Sequence, residues 1–492
     1  MHGHGGDQMA PTRARARSAL SWRAVTTRLA AVALAGALVA VASPSEGTPV
    51  TTPTLQQASW GGVGNKSGTP IQNVTRVETD TFAWGSTVVS AFQVGRSTKG
   101  YGAAAIGWAT STNDGRTWSH GLLPGLTLSS PTPNPNYPLV VNQSVAYDAR
   151  HQTWLIPSVT YVASGTAFHE KALMVNTSLN GKTWNVATTA VSTDVDKAWG
   201  VCDNTATSPY YGSCYVAYSQ LDSQLAMAVV TSTDGGLTWS SPVQVPDGLG
   251  GNARGYNVVP VVRPDGTVVV VATDVNNGRN NSQLLAFTSA DGGATWSVPT
   301  PFATVQLHTV VKGLRAFNKP TVDVDVTGRV SVLWADCRFE TGCAANDLVL
   351  ASSNDGITWS LPAQLPLQPG SGATDQFDPG LAVAPGTSGA TAQLSVVYYT
   401  LVPCATTCID ARYATSYDGG ATWSAPYTVN SAPIPTTWLA NSPFGRMVGD
   451  YNSVSFVHGS AVTVLPLATA APTPYSETEW ALSLPPGWTP GP

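Results

Sequence analysis

Charge is scarce in this chain. Asp, Glu, Lys and Arg together make up 11% of its 492 residues, against about a quarter in an average domain. Glutamate occurs six times and histidine seven. The net charge of −5 leaves no basic surface for a phosphate backbone, which excludes ordinary nucleic-acid binding. No His stands at metal spacing from a second ligand, so no metal or other cofactor is expected. A phosphate-cradling Gly loop, a Ser-His-Asp order and a Cys nucleophile are also missing. The apolar runs are too short to span a bilayer comfortably.

What is plentiful is turn chemistry and tryptophan: 47 Gly, 36 Pro and 16 Trp. The tryptophans mark a repeat. Six segments end in Thr-Trp, closing at Trp118, Trp184, Trp239, Trp296, Trp359 and Trp423, with spacings of 66, 55, 57, 63 and 64 residues. Ser232-Thr-Asp-Gly-Gly-Leu-Thr-Trp239 is one full copy, and Ser178–Trp184 is one residue shorter than the rest. Asp or Asn followed by Gly bonds nearby N–H groups and takes a positive φ, so each copy reads as a hairpin tip after a short strand. The tryptophan suits the wedge between packed sheets. Fold staple is thus the expected role, with no direct part in chemistry.

The pattern Ser-x-Asp-x-Gly-x-Thr-Trp resembles the Asp-box (BNR) repeat of sialidase-like β-propellers. The fit allows Asn113 and Asn354 in the Asp place, and it covers residues from about 70 to 485. The resemblance implies an all-β propeller of four-stranded blades. Upstream hairpins are expected at 75–94, 143–162, 200–219, 256–273, 320–334, 379–400 and 450–467, one more than the boxes. The expected count is therefore seven blades, the last without a box; the alternative is the six-bladed sialidase fold, with the last hairpin as a flap. Closing such a ring leaves an axial funnel, where a ligand site is expected.

Arg13, Arg15, Arg17, Arg23 and Arg28 precede an uncharged run from Leu29 to Ala42. Residues 1–42 are accordingly expected to be a signal peptide for the general secretory route. A Ser/Thr/Pro/Gly-rich linker over 43–68 and a single propeller domain over 69–492 would follow. The six cysteines fall into close pairs, Cys202 with Cys214, Cys337 with Cys343 and Cys404 with Cys408. In an exported chain these read as disulfides; zinc is the weaker reading, since the spacings do not match paired metal knuckles.

The segments before each first strand carry the chemistry. Asp196-Lys197-Ala-Trp199, Arg254-Gly-Tyr256, Arg315 with Lys319, Asp375 to Asp378 and Arg446 to Tyr451 would line the funnel with cations, carboxylates and aromatic rings. Arg and Lys would grip anionic groups and the rings would face sugars; the structural alternative is that these charges pair and tie blades together. A retaining sialidase needs three arginines on the substrate carboxylate, a Tyr nucleophile activated by a Glu, and an Asp acid/base. The resemblance nominates Tyr451, Glu340, Asp450 and Asp80 as catalytic. The pre-strand segments nominate Asp196, Lys197, Trp199, Tyr256, Arg315 and Lys319 as substrate-binding, and the resemblance adds Arg254, Arg412 and Arg446 as candidates for the arginine clamp. The family's Phe-Arg-Ile-Pro motif is absent, and Arg76 lies in its region within a different sequence. The expected function is a secreted glycoside hydrolase, exo-sialidase-like, acting as a monomer on an extracellular glycan, an anionic one included. The alternatives are a non-catalytic glycan- or protein-binding propeller and a polysaccharide lyase.

Overall fold

The computed structural model describes residues 52–66, 68–99, 101–164, 167–274, 283–368, 374–470 and 475–489, without side chains at 163–168 and 170. The expected signal peptide lies outside the described residues. The fold is all-β with almost no helix, two short 3-10 turns apart. None of its described helices is long and apolar enough to cross a membrane.

Its strands form antiparallel four-strand units in chain order. Ile71–Trp84, Thr87–Ser97, Ala103–Ser111 and Ser119–Leu122 make the first. Ala146–Asp148, Thr153–Ser164, Ala167–Ser178 and Thr188–Val191 make the second. The short strand Leu139–Val141 pairs with both and joins them into one nine-stranded sheet. Four separate units follow, beginning at Val195–Cys202, Gly255–Val262, Thr321–Val324 and Gln376–Val383. The last sheet takes Ser453–Val457, Ser460–Ala468 and Glu477–Ser483 from the C-terminal end and Thr54–Ser59 from the N-terminal end. Each hairpin expected from the sequence, including the seventh, is a strand pair. Thr54–Ser59, expected in the linker, is instead a paired strand. It lacks apolar alternation because it contributes mainly backbone hydrogen bonds to Glu477–Ser483.

The first strand of each unit packs against the first strand of the next, and Ile71–Trp84 packs against Ser453–Val457 of the last. Most residues of these inner strands are buried, while Thr321–Val324 is half-buried throughout. Between units, the core is continuous: Tyr215 and Ala217 of the third unit share a cluster with Val268, Val270, Phe287 and Trp296 of the fourth. At about 25 cal/mol per Å² of apolar surface, burying one such aromatic side chain contributes about 2–3 kcal/mol.

The Thr-Trp turns lie after each third strand, at the end opposite the starts of the inner strands. In Ser232–Trp239, Asp234 Oδ1 accepts from the backbone N–H of Leu237 (3.0 Å) and Thr238 (3.0 Å), and Ser232 Oγ accepts from Gly236 (2.9 Å). Gly293 has φ 85°, and a Cβ there would stand 2.7 Å from Thr231 Oγ1 of the preceding unit. That close approach requires glycine. The fifth turn corrects the sequence register. Asp355, not Asn354, accepts from Ile357 N (2.8 Å), Thr358 N (2.7 Å) and Ser353 Oγ (2.9 Å). The turn is thus a seven-residue one beginning at Ser353, like Ser178–Trp184, and the backbone carbonyl of Asn354 instead accepts from Arg263 (2.9 Å).

Cys202–Cys214, Cys337–Cys343 and Cys404–Cys408 are disulfides, and no described cysteine is free. The first ties the end of an inner strand to the start of its neighbour.

Candidate functional site

The inner strands bulge at matching places. Register slips lie between Val77 and Asp80, Asp196 and Trp199, Tyr256 and Val259, and Phe377 and Gly380. Within these slips Glu78, Lys197, Asn257 and Asp378 have φ of 59°, 54°, 53° and 47°. Asn142, just before the second unit's inner strand, has φ 53°. An extra residue in a strand re-aims its side chain, and a non-Gly residue in the left-handed region costs on the order of 1 kcal/mol. The polar residues so turned are all buried, and at Glu78, Lys197 and Asn142 the strain is offset by the bonds they make to Gln93, Asp450 and Asp196.

Asp450 is the hub. Arg315 grips it with Nε to Oδ1 (2.7 Å) and Nη2 to Oδ2 (2.5 Å), and Lys197 Nζ donates to Oδ2 (2.8 Å). Burial pushes the Asp450 carboxyl up, but Arg315 and Lys197 together outweigh it and hold it well below the carboxylate range. Glu78 accepts from Gln93 Nε2 (2.5 Å) and lies 3.5 Å from Arg315 Nη2. Burial, with Asp450 nearby, pushes its carboxyl up. Asp196 accepts from the Tyr256 hydroxyl, from Asn142 Nδ2 and from the Lys197 N–H (2.8 Å). Asp378 is 2% exposed with no partner on either carboxylate oxygen among the described residues, and burial pushes its carboxyl well up.

A cavity of about 520 Å³ begins where this cluster ends. Every unit's inner strand or the segment leading into it contributes to its wall. The walls are largely apolar, from Val145 and Val201 to Val259, Val322, Leu381 and Val454. Trp84 (41% exposed) and Val326 (51%) stand at the ends of inner strands, and the Trp84 ring packs 5.3 Å from Tyr147. Lys319, Trp199, Tyr451 and Asp80 line the polar portion. Lys319 Nζ lies 3.4 Å from the Trp199 ring centre and 4.0 Å from that of Tyr451, whose rings meet edge to face at 5.0 Å. The Tyr451 hydroxyl donates to the Gln143 carbonyl (2.8 Å). Burial and the carboxylates of Glu78, Asp80 and Asp450 push that hydroxyl well above the usual tyrosine range. Asp80 accepts from Val145 N (2.7 Å), and burial pushes its carboxyl up to about 6.

Nine of the nominated residues therefore meet here: Asp80, Asp196, Lys197, Trp199, Tyr256, Arg315, Lys319, Asp450 and Tyr451. Four lie elsewhere. Arg254 is exposed beside an isolated bridge to Ala226. Arg412 pairs with Asp410 (2.8 Å) on an outer hairpin of the sixth unit. Arg446 sits on the small hairpin Ala440–Ser442 with Gly445–Met447, where it donates to Leu439 O (3.1 Å) and stacks over Tyr475. Glu340 occupies the turn closed by Cys337–Cys343, away from the cavity wall. Arg76 donates to Ser59 Oγ (2.9 Å), Trp60 O (2.6 Å) and Gly61 O (2.7 Å), a tie to the N-terminal strand. Reasoning on sequence missed Glu78, Gln93, Arg96 and Gln143. The available signal was position: Glu78 stands in Val77-Glu78-Thr79-Asp80 where Lys197 and Asp378 stand in their own units.

No family model matches the chain, and no curated protein matches it. Solved structures of similar fold include a polysaccharide lyase of family PL25, an ulvan lyase bound to a glucuronate–rhamnose 3-sulfate unit. It is 11% identical with TM-score 0.49, over 86% of this chain and 94% of that one. The NanB sialidase of Streptococcus pneumoniae is also similar, at 11% identity and TM-score 0.45, over 88% and 70%. A protein of unknown function from Dyadobacter fermentans is 15% identical with TM-score 0.45, over 70% and 94%.

Proposed function

We propose that this chain is a secreted seven-bladed Asp-box propeller that binds an extracellular glycan in its axial channel without cleaving it. The seven-bladed ring is supported by the succession of inner-strand contacts, which returns from the last unit to the first, and by the N-terminal strand that completes the last sheet. Export is supported by the three disulfides and by the arginine-led apolar run at residues 13–42. The chain acts as a monomer in this reading, with no cofactor.

The observation that carries binding over hydrolysis is the state of the charges. Of the nominated arginines, Arg315 alone enters the cluster, and Asp450 already occupies its fork. A substrate carboxylate would have to displace a buried ion pair, which costs several kcal/mol. Tyr451 gives its proton to a backbone carbonyl rather than to a carboxylate, and its surroundings oppose ionisation. The charges are thus spent on joining inner strands. What stays open is a largely apolar channel with an aromatic plate, Trp84, near one end, a surface that suits the face of a sugar ring; the wall hydroxyls of Thr81, Ser453 and Ser455 bond one another. The test is a panel of sialosides, uronic-acid polymers and neutral glycans, read for retention on immobilised protein and for new reducing ends or ultraviolet absorbance. Retention without turnover, weakened at least about tenfold by Trp84→Ala (about 1.4 kcal/mol), is expected. Turnover abolished by Tyr451→Phe would restore the hydrolase.

A further inference from the structure

The chain has seven lysines, and Lys319 differs from the others. Lys197 is also buried, but its amine is spent on Asp450. Lys171 and Lys182 reach solvent. The Lys319 amine has no hydrogen bond or ion pair among the described residues, is carried by a residue 4% exposed, and meets the cavity between two aromatic rings. The charged groups that act on it are Asp80 and Glu78 from the first unit, Lys197 from the third and Asp450 from the last. Burial comes first among the influences, and Lys197 second; both disfavour the ammonium form, and they outweigh the carboxylates. The two ring faces alone would favour the ammonium, but an amine with its cationic form disfavoured by burial and no ion-pair partner at the wall of an apolar channel is poised as a nucleophile.

We propose that Lys319 is a carbonyl-capture site, forming an imine with an aldehyde that enters the channel, such as the open-chain end of a reducing sugar. Lys319 Nζ adds to the carbonyl carbon, and the carbonyl π pair moves to oxygen. Both amine protons then leave with that oxygen as water, and a C=N bond remains. No oxidant or reductant takes part. The apolar walls help by keeping bulk water from the C=N bond. Asp80, whose carboxyl stands near neutrality, lies on the same wall and is placed to carry a proton during loss of water. The glycan end as source rests on the binding reading above; the reactive amine does not.

The full chain is incubated at neutral pH with glycolaldehyde and cyanoborohydride, which fixes any imine as a hydroxyethyl-amine, and peptides are mapped by mass. Labelling of Lys319 at least about tenfold faster than of Lys171 and Lys182 is expected. Lys319→Met removes the fast label, and if that variant fails to fold, saturating glycolaldehyde without reductant must protect wild-type Lys319 from a second amine reagent. Slow, even labelling of surface lysines, with Lys319 modified only after denaturation, overturns the proposal. Capture of glycolaldehyde without glycan retention would keep the reactive amine and remove the glycan reading.

Discussion

Glu479 shows what the shortage of charge does at single residues. It stands on the third strand of the last sheet, fully buried, with both carboxylate oxygens 2.9 Å from Thr79 Oγ1 of the first unit. Burial dominates, and its carboxyl is pushed up to about 8. Neighbouring Glu477 is pushed well up for the same reason, and its one bond comes from Ala440 N (2.7 Å). A carboxyl whose folded value exceeds its unfolded value takes up a proton on folding. Its contribution is complete below about pH 4.3 and is lost as pH rises through its folded value. Stability should therefore fall between about pH 4.5 and 8, with a slope of up to about 1.4 kcal/mol per pH unit for each such group. Asp450 runs the other way: held low by Arg315 and Lys197 against its burial, it keeps its contribution above the unfolded value and loses it only in strong acid. Glu479→Gln keeps the shape and an acceptor for Thr79 while removing the titration. Urea unfolding at pH 5 and pH 8 is expected to show little change at pH 5 and clear stabilisation at pH 8. Equal effects at both values would show that Glu479 does not titrate across this window.

At the scale of elements, the turn closing the fifth unit separates two registers that look alike in sequence. Asn354-Asp355-Gly356 offers two residues for one place. In the fold Asp355 takes it, with three accepted bonds, while the Asn354 backbone bonds the preceding unit's Arg263. Asp355→Ala is expected to cost about 1–2 kcal/mol, the worth of lost bonds to a charged acceptor at an exposed turn. Asn354→Ala should stay within about 0.5 kcal/mol. Thermal or urea unfolding of the two variants decides, and the reverse order would put Asn354 back in the Asp place. The hairpins were legible because their signal is local: alternating apolar residues and a turn within eight residues. The bulges were not, since a slip in register leaves no local mark, and so Glu78 passed unnoticed while Lys197 and Asp378 were seen for their charge. Which arginines converge was illegible for another reason. Arg254, Arg315, Arg412 and Arg446 all lie in polar segments, and only the tertiary partners Ala226, Asp450, Asp410 and Leu439 separate them.

Thr54–Ser59 matters to the whole molecule because it joins the chain's two ends. Thr54 pairs with Ser483 and Ser59 with Glu479, so without this strand the last sheet would present an unpaired edge. Arg76 fastens the connection from the inner side, spending its guanidinium on Ser59, Trp60 and Gly61. At 3% exposure that guanidinium is buried beneath the segment, and all three of these bonds are lost if the segment leaves. Removing the acceptors of a buried charge costs about 3–5 kcal/mol. Losing the strand also removes Ala58 from its apolar cluster with Phe92, Val464 and Ala481. Two truncations make the test. A chain starting at Thr52 keeps every one of these bonds and should unfold at the full-length midpoint. One starting at Gly62 should unfold at clearly lower urea and self-associate with rising concentration through the freed edge. A peptide spanning residues 52–62, added in trans, should raise its midpoint by mass action, as any ligand specific to the folded state does. If the shorter chain keeps the full midpoint, the N-terminal strand is an ornament on the last sheet and the fold holds without it.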